Sequence, residues 1–193
     1  MNNFFVIGNP IKHSSSPMLF KYIFKKLDID ASYYSKLVTN EYLEKTLMKL
    51  KNNNVRGINI TMPLKSKSIE FVDQIEKNAR ITKSINCIHF KDNTIKGYNN
   101  DYYGFNKLVK INKLKLESSN NIILGSGGSA RTIILSLIKH KVKSIQLLSR
   151  NTESAMQIIN DFQPNLKGIS LKIFEKKLEF KNYNLINCTP ITL

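Results

Sequence analysis

Hydrophobic residues recur along the chain at two spacings, and together these predict an alternation of strands and helices. Apolar residues three or four positions apart mark helix faces, as in Leu43, Leu47 and Leu50. Short apolar runs predict strands at 4–8, 33–38, 57–61, 85–90, 94–98, 121–124, 145–148 and 185–187. Strands that alternate with helices in this way are typical of an α/β fold with a parallel sheet.

The pattern changes near Asp101, where we place a domain boundary. Before it, Ser16-Pro17 predicts the start of the first helix, with Ser16 as the cap and Pro17 at the first helical position. The runs 85–90 and 94–98 predict a hairpin around Asp92-Asn93. After the boundary, a connecting helix leads into a regular strand–helix alternation. Residues 1–100 and 101–193 are therefore predicted to form two domains.

The chain has 193 residues, of which 41% are hydrophobic, enough for a packed core in one ordinary domain or two small ones. Its apolar runs are too short to span a membrane, and the N-terminus lacks the pattern of a secretory signal. Neither the two cysteines nor the three histidines have metal-ligand spacing, so no metal is expected. We expect a soluble, cytoplasmic protein with reduced thiols, as a monomer or a homodimer.

The formal net charge of +16 raises the question of nucleic-acid binding. Only four of the 30 basic residues are arginine, the residue that most often reads bases, and the lysines are scattered along the chain. Lys, Asn and Ile are abundant, as an AT-rich genome would produce. We therefore expect no nucleic-acid partner, although the charge would concentrate anionic small molecules near the protein.

The segment 122–131, IILGSGGSAR, follows a predicted strand and opens a predicted helix. Gly125, Gly127 and Ala130 fit the pattern G-x-G-x-x-G/A, in which glycines permit a tight turn and a helix N-terminus faces a pyrophosphate. The pattern predicts a Rossmann-type dinucleotide-binding domain, and a glycine-rich turn without a ligand is the alternative.

The next predicted strand ends at Ser149-Arg150-Asn151, the position that usually distinguishes NAD from NADP. NAD sites tend to have an Asp or Glu here for the ribose 2′-hydroxyl. No carboxylate is present, and the guanidinium of Arg150 suits a 2′-phosphate. The loop therefore favours NADP, unless Arg150 is simply a solvated surface residue.

Lys65 and Asp101 are candidates for proton transfer. Lys65 follows the predicted strand GINIT and the turn MP, and Asp101 stands at the domain boundary. In a substrate cleft, a lysine and a carboxylate can relay a proton to or from a hydroxyl or carbonyl. Spacing alone does not distinguish Lys65 from an ordinary surface lysine.

Seven strings, in order along essentially the whole chain, resemble motifs of the shikimate dehydrogenase family. They are GNPIKHSSSP, NITMPLK, INC, GYNNDYYG, GSGGSAR, SRN and NCTP. The resemblance implies an N-terminal α/β substrate domain followed by a Rossmann-type NADP-binding domain. It also implies a reversible reduction of 3-dehydroshikimate to shikimate by NADPH.

The resemblance implies a role for each matching residue. Lys65 and Asp101 match the catalytic pair, with Lys65 passing the proton at the C3 oxygen of the substrate and Asp101 orienting Lys65. Besides this pair, the implied substrate-binding residues are Ser14, Ser16, Asn59, Thr61 and Asn86. The implied cofactor-binding residues are Gly125, Ser126, Gly127, Gly128, Ser129, Ala130, Ser149, Arg150, Asn151, Asn187, Cys188 and Thr189.

Several departures from the family leave alternatives open. The family often has N-R-T where this chain has Ser149-Arg150-Asn151, and Ser154 replaces a second basic residue, so weaker phosphate binding is expected. Family members continue beyond the length of this chain, so we expect an incomplete nucleotide-binding domain and weak activity or poor solubility. A quinate/shikimate dehydrogenase that can use NAD and a non-catalytic remnant are the two alternatives.

Overall fold

The computed structural model describes residues 2–53, 55–174 and 183–190. The chain divides into two compact units, Met1–Asn100 and Asp101–Leu193. Among the described residues, no helix has both the length and the apolar character needed to cross a membrane.

The first unit is built around a mixed sheet. Its strands are β1 (Asn2–Gly8), β2 (Ala31–Leu37), β3 (Val55–Ile60), β4 (Gln74–Ile75), β5 (Cys87–Lys91) and β6 (Thr94–Tyr98). Its helices are α1 (Ser16–Lys26), α2 (Leu43–Asn52) and α3 (Lys77–Thr82), with short 3-10 helices at Asn40–Tyr42 and Lys67–Phe71. The strand order is β2-β1-β3-β5-β6-β4. β1 runs parallel to β2 and β3, whereas β5 runs antiparallel to β3 and β6.

The two faces of this sheet differ in character because successive side chains of a strand point to opposite sides. One face carries the main core, in which strand residues such as Ile7, Ile58 and Ile88 join Leu43 and Leu47 of α2. All five are buried, and Leu43 and Leu47 lie four residues apart on one face of α2.

The opposite face is aromatic and polar where α1 covers it. Phe24 of α1 lies against Phe4 of β1, with ring centroids 5.8 Å apart. Phe20 stacks on Tyr33 of β2, with a centroid distance of 4.4 Å and an interplanar angle of 2°. Since Phe4, Phe20 and Phe24 are only half-buried, this face is less apolar and less enclosed than the core face.

The second unit contains a four-stranded parallel sheet. Its elements are α4 (Asn100–Ile111), which opens at the last residue of the first unit, β7 (Asn120–Leu124), α5 (Gly128–Lys139), β8 (Ser144–Leu148), α6 (Thr152–Phe162), β9 (Ser170–Ile173) and β10 (Tyr183–Asn187). The strand order is β10-β7-β8-β9, and every pairing is parallel. The residues of α5 from Ala130 to Leu137 are all buried, as expected for a helix that opens after the central strand β7.

The α/β class is confirmed, and each predicted strand has a counterpart. Asp92 and Asn93 have φ values of 48° and 58°, which suit the tight turn of the β5–β6 hairpin. The predicted cap of the first helix is wrong by one residue: Ser15 is the cap, and Ser16 is the first helical residue. α3, β4 and β9 were missed because each is only two to six residues long and lacks a clear apolar period.

Candidate functional site

Two loops at the carboxyl ends of β1 and β3 are hydrogen-bonded to each other in the first unit. The N–H of Thr61 donates to the carbonyl of Ile7 at 2.9 Å, and the N–H of Asn9 donates to the carbonyl of Met62 at 2.9 Å. A Cβ on Gly8 would overlap Thr61 Cγ2 and would lie 2.8 Å from the Met62 carbonyl oxygen. Glycine at this position therefore allows the segments 9–16 and 61–65 to meet.

The predicted serines lie where the first loop enters α1. The Ser14 hydroxyl accepts the N–H of Ser16 at 3.3 Å, whereas the cap residue Ser15 makes no side-chain capping bond. The Ser16 side chain lies close to the Tyr33 phenol of the neighbouring strand β2. The two serines are thus brought together at the start of α1.

Asn59 and Asn86 are joined in one chain of hydrogen bonds that also contains a residue we did not predict. The Tyr33 hydroxyl donates to Asn59 Oδ1 at 2.7 Å, and Asn59 Nδ2 approaches the Asn86 carbonyl at 3.5 Å. Asn86 Oδ1 accepts the N–H of Asn100, the first residue of α4, at 2.8 Å. Burial raises the pKa of the Tyr33 phenol, so it stays a neutral donor at physiological pH.

Thr61 and Lys65 lie at the two ends of the second loop. The Thr61 carbonyl accepts the N–H of Leu64 at 3.0 Å, and the Lys65 carbonyl accepts the N–H of Ile85 at 2.8 Å. Both residues are half-buried. Because the backbone of Lys65 is tied to the residue before Asn86, its side chain starts from a fixed point beside the polar cluster.

Cys87 occupies the next strand beyond Asn59, and the register of β3 and β5 pairs these two residues directly. Burial raises the pKa of its thiol, so the side chain stays neutral near pH 7. The cluster formed by Ser14, Ser16, Tyr33, Asn59 and Cys87 therefore consists of neutral groups. Such groups, with a nearby lysine, suit a small ligand that has hydroxyls and a carboxylate.

The glycine loop of the second unit follows β7. Gly125 has a φ of 101°, a left-handed value that glycine adopts without strain, and its N–H donates to the Leu148 carbonyl at 2.9 Å. Gly127 is the cap of α5 and, as a glycine, has no side chain that could make a capping bond. A Cβ on Gly127 would meet nothing within 4 Å, so there is open space in front of the first turn of this helix.

The residues that open α5 complete this loop. Gly128 is the first helical residue and Ser129 the second, and both are half-buried. The backbone N–H of Gly128 belongs to the four that a helix leaves without an intrahelical acceptor. Ala130 is fully buried, so its methyl group belongs to the core. It would assist ligand binding indirectly, because a small residue at the third position of the glycine pattern lets α5 pack close to the sheet.

A second loop, after β8, is hydrogen-bonded to the glycine loop through serine side chains. Ser126 Oγ lies 2.8 Å from Ser149 Oγ, and the Ser154 hydroxyl donates to the Ser126 carbonyl at 3.1 Å. Asn151 caps α6, since its Oδ1 accepts the N–H of Ser154 at 2.8 Å. Arg150 is exposed, between the two residues that anchor the loop.

A third segment, Asn187–Thr189, reaches the same edge of the sheet. The N–H of Cys188 donates to the Leu124 carbonyl at 2.9 Å, and Asn187 Oδ1 accepts from both the N–H and the hydroxyl of Thr189, at 2.9 Å and 2.7 Å. A Cβ on Gly125 would lie 3.2 Å from Thr189 Cγ2. All three predicted nucleotide-site segments therefore meet at the carboxyl ends of parallel strands, where open α/β sheets bind dinucleotides.

Arg131, the last residue of the GSGGSAR string, has a structural environment that differs from that of Arg150. Its guanidinium donates to Asp161 Oδ2 at 2.7 Å, with side-chain exposures of 10% and 7%. This buried ion pair joins α5 to α6 and leaves Arg150 as the candidate for an anionic ligand.

Asp101 lies in the first turn of α4 and is half-buried. It belongs to the second unit, whereas Lys65 belongs to the first. The proposed pairing of these two residues therefore stays a prediction. Within the described residues, no three side chains of His, Cys, Asp or Glu are grouped as a metal site requires.

The fold, the polar cluster at the ends of β1 and β3 and the loops at the ends of β7 and β8 define an α/β protein with a dinucleotide-type glycine loop. Comparisons with known proteins give its family. The model for the "Shikimate dehydrogenase substrate binding domain" matches residues 6–88. The NADP(+) shikimate dehydrogenase of Pelagibacter ubique is 36% identical over 190 residues, which cover 98% of this chain and 69% of the relative. That of Clostridium beijerinckii is 33% identical over 186 residues, covering 96% of this chain and 67% of the relative.

Solved structures agree with these relatives. A crystal structure of shikimate dehydrogenase from Aquifex aeolicus aligns with a TM-score of 0.87 at 28% identity, covering 98% of this chain and 69% of that one. A shikimate dehydrogenase solved in complex with NADP+ aligns with a TM-score of 0.87 at 25% identity, covering 98% of this chain and 67% of that one. The chain belongs to the shikimate dehydrogenase family, and it spans about two thirds of the length of these relatives.

Proposed function

We propose that the protein binds shikimate and NADP and interconverts shikimate and 3-dehydroshikimate. The observation that carries this proposal is the cluster of neutral hydrogen-bonding groups at the carboxyl ends of β1 and β3. It lies within the part of the chain that matches the family's substrate-binding domain. Ser14, Ser16, Asn59, Thr61 and Asn86 would bind the carboxylate and the ring hydroxyls.

The loops of the second unit support a dinucleotide as the second ligand. Gly125 and Gly127 give the tight turn and open space that a pyrophosphate needs, and the first turn of α5 supplies N–H donors, including that of Gly128. Segments 149–151 and 187–189 would line the remainder of the nucleotide site, with Arg150 facing the 2′-phosphate. Bound NADPH would supply the hydride that reduces the C3 carbonyl.

The protein's own contribution to the reaction would be proton transfer and orientation. As the carbonyl of 3-dehydroshikimate is reduced, Lys65 would donate a proton to the C3 oxygen, and in the reverse direction it would accept that proton. Asp101 would be the second catalytic residue, the role implied by the family motif that it matches. The same two residues would also bind the substrate.

A specific observation favours a second cofactor as well. Ser154 replaces the second basic residue that the resemblance led us to expect, and its hydroxyl is used to bond the Ser126 carbonyl. With Arg150 as its main cation, the loop would prefer NADP less strongly than a site with two cations. A quinate/shikimate dehydrogenase able to use NAD is therefore the second candidate.

The test combines ligand binding with activity. Shikimate and quinate, each with NADP and with NAD, give four initial rates that separate the two candidates. Lys65→Ala should lower turnover by about two to four orders of magnitude while shikimate affinity, measured by calorimetry, changes much less. Lys67→Ala is a matched control, because Lys67 is an exposed lysine paired with Glu70. Failure of the unmodified chain to bind shikimate would refute the proposal.

A further inference from the structure

Tyr33 is placed between two of the residues assigned to the substrate site, although no motif drew attention to it. It lies on β2, where its ring stacks on Phe20 of α1 at 4.4 Å. Its hydroxyl donates to Asn59 Oδ1 of β3 at 2.7 Å and lies close to the Ser16 side chain. Tyr33 thus connects the start of α1 to the end of β3.

The number of protons fixes the direction of the bond between Tyr33 and Asn59. A phenol has one proton, and Tyr33 gives it to Asn59 Oδ1, which has none to give. The bond therefore runs from Tyr33 to Asn59.

This direction determines what Asn59 presents to a ligand. Because Oδ1 receives the Tyr33 proton, the amide is held with Nδ2 on the other side. Among the residues that the structure describes, Asn59 Nδ2 reaches one acceptor, the Asn86 carbonyl at 3.5 Å, and that distance is too long for a strong bond. At least one amide N–H is then available to an oxygen of the ligand.

We propose that Tyr33 is a positioning residue of the substrate site, which holds the Asn59 amide as a hydrogen-bond donor to a substrate hydroxyl. The inference rests on the proposed function, since shikimate is the ligand that Asn59 would meet. Without the Tyr33 hydroxyl, the Asn59 amide would lose the bond that sets its orientation and would have to be ordered by the ligand itself.

The experiment measures shikimate affinity by calorimetry for the full chain and for Tyr33→Phe, which keeps the ring stack and removes only the hydroxyl. We expect the Kd for shikimate to rise about threefold to tenfold, as for one lost hydrogen bond between neutral groups. The affinity for NADP should not change. Tyr34→Phe is the matched control, because Tyr34 is on the same strand, points to the other face and stacks on Phe5 at 5.3 Å.

A double-mutant cycle separates positioning from general loss of structure. In an Asn59→Ala background, Tyr33→Phe should change the Kd by less than about twofold, because the residue through which Tyr33 acts is absent. An equal effect in both backgrounds would overturn the inference, and so would an unchanged Kd for Tyr33→Phe alone. If the unmodified chain does not bind shikimate, both the proposed function and this inference fail, whereas the two preceding results would leave the proposed function intact.

Discussion

Arg150 is exposed, but the loop that carries it is fixed at both ends. Ser149 is hydrogen-bonded to the glycine loop, and Asn151 caps α6. A guanidinium on such a loop can meet a phosphate without ordering the backbone first. The exposure of Arg150 is thus compatible with a role in binding, whereas the similarly basic Arg131 is committed to its ion pair with Asp161.

We predict that Arg150→Ala weakens NADP binding about tenfold to a hundredfold, as expected for a lost charge-assisted hydrogen bond. NAD affinity should be nearly unchanged, because NAD has no 2′-phosphate for this residue to contact. Titration calorimetry with both cofactors gives the comparison, and NAD is the internal control. Equal losses for NAD and NADP would mean that Arg150 does not read the phosphate.

Cys87 allows a prediction about pH. Burial raises the pKa of its thiol, so less thiolate is present at any given pH than for a free cysteine, whose pKa is about 8.5. In a Cys188→Ser variant, alkylation of Cys87 at about pH 8 should be slower than that of a free thiol. The rate should rise until the pH exceeds the raised pKa, and shikimate should slow it further. A rate equal to that of free cysteine across the pH range would contradict the prediction.

The structure brings most of the residues predicted for the substrate site into one cluster, but Tyr33 was not among those predicted. Asn59 and Asn86 were identified through motifs to which they belong. Tyr33 belongs to no such motif and is one of eight tyrosines. Its importance depends on the parallel register of β1 with β2 and β3, which brings residues 26 positions apart within 2.7 Å. No local pattern contains that information.

At the scale of elements, local signals explain why some predictions succeeded. The glycine loop was predictable because a strand, a turn with positive φ and a helix start are adjacent in sequence. The β5–β6 hairpin was predictable because Asp92-Asn93 suits the turn. β9 has only four residues, of which two are polar, so its place beside β8 depends on tertiary pairing. β9 was missed because this long-range pairing leaves no local pattern in the sequence.

The contact between the two substrate loops gives a prediction for Gly8→Ala. The added methyl group would overlap Thr61 Cγ2 and the Met62 carbonyl, so the loops must separate. We expect the free energy of unfolding to fall by about 1–3 kcal/mol, as for overpacked sites, and shikimate affinity to fall with it. Denaturant titration and calorimetry measure the two effects.

Gly104→Ala is the matched control for this change. A Cβ on Gly104 would meet nothing within 4 Å, and the residue lies inside α4. Alanine there should stabilise the protein by about 0.5–1 kcal/mol, because glycine is a poor helix former. If Gly8→Ala were as well tolerated as Gly104→Ala, the close approach of the loops would not be needed for the fold or for binding.

At the scale of the whole molecule, the net charge of +16 surrounds both predicted ligands with a positive potential. Both shikimate and NADP are anions. The scattered lysines would therefore assist binding without contacting the ligand, and this assistance would be lost when salt screens it. The Debye length falls from about 10 Å at 0.1 M to about 3 Å at 1 M ionic strength.

We predict that NADP affinity falls as salt is raised over this range, and that it falls more steeply than NAD affinity because NADP carries the additional phosphate charge. Arg150→Ala should reduce the difference between the two slopes, since it removes the cation proposed to contact that phosphate. Some salt dependence should nevertheless persist in the variant, because the other basic residues are unchanged. Calorimetric titrations of both cofactors at a series of salt concentrations measure the slopes. If NADP affinity did not depend on salt, the lysine-rich composition would play no part in attracting the cofactor, and contacts within the loops would have to supply the whole of its binding energy.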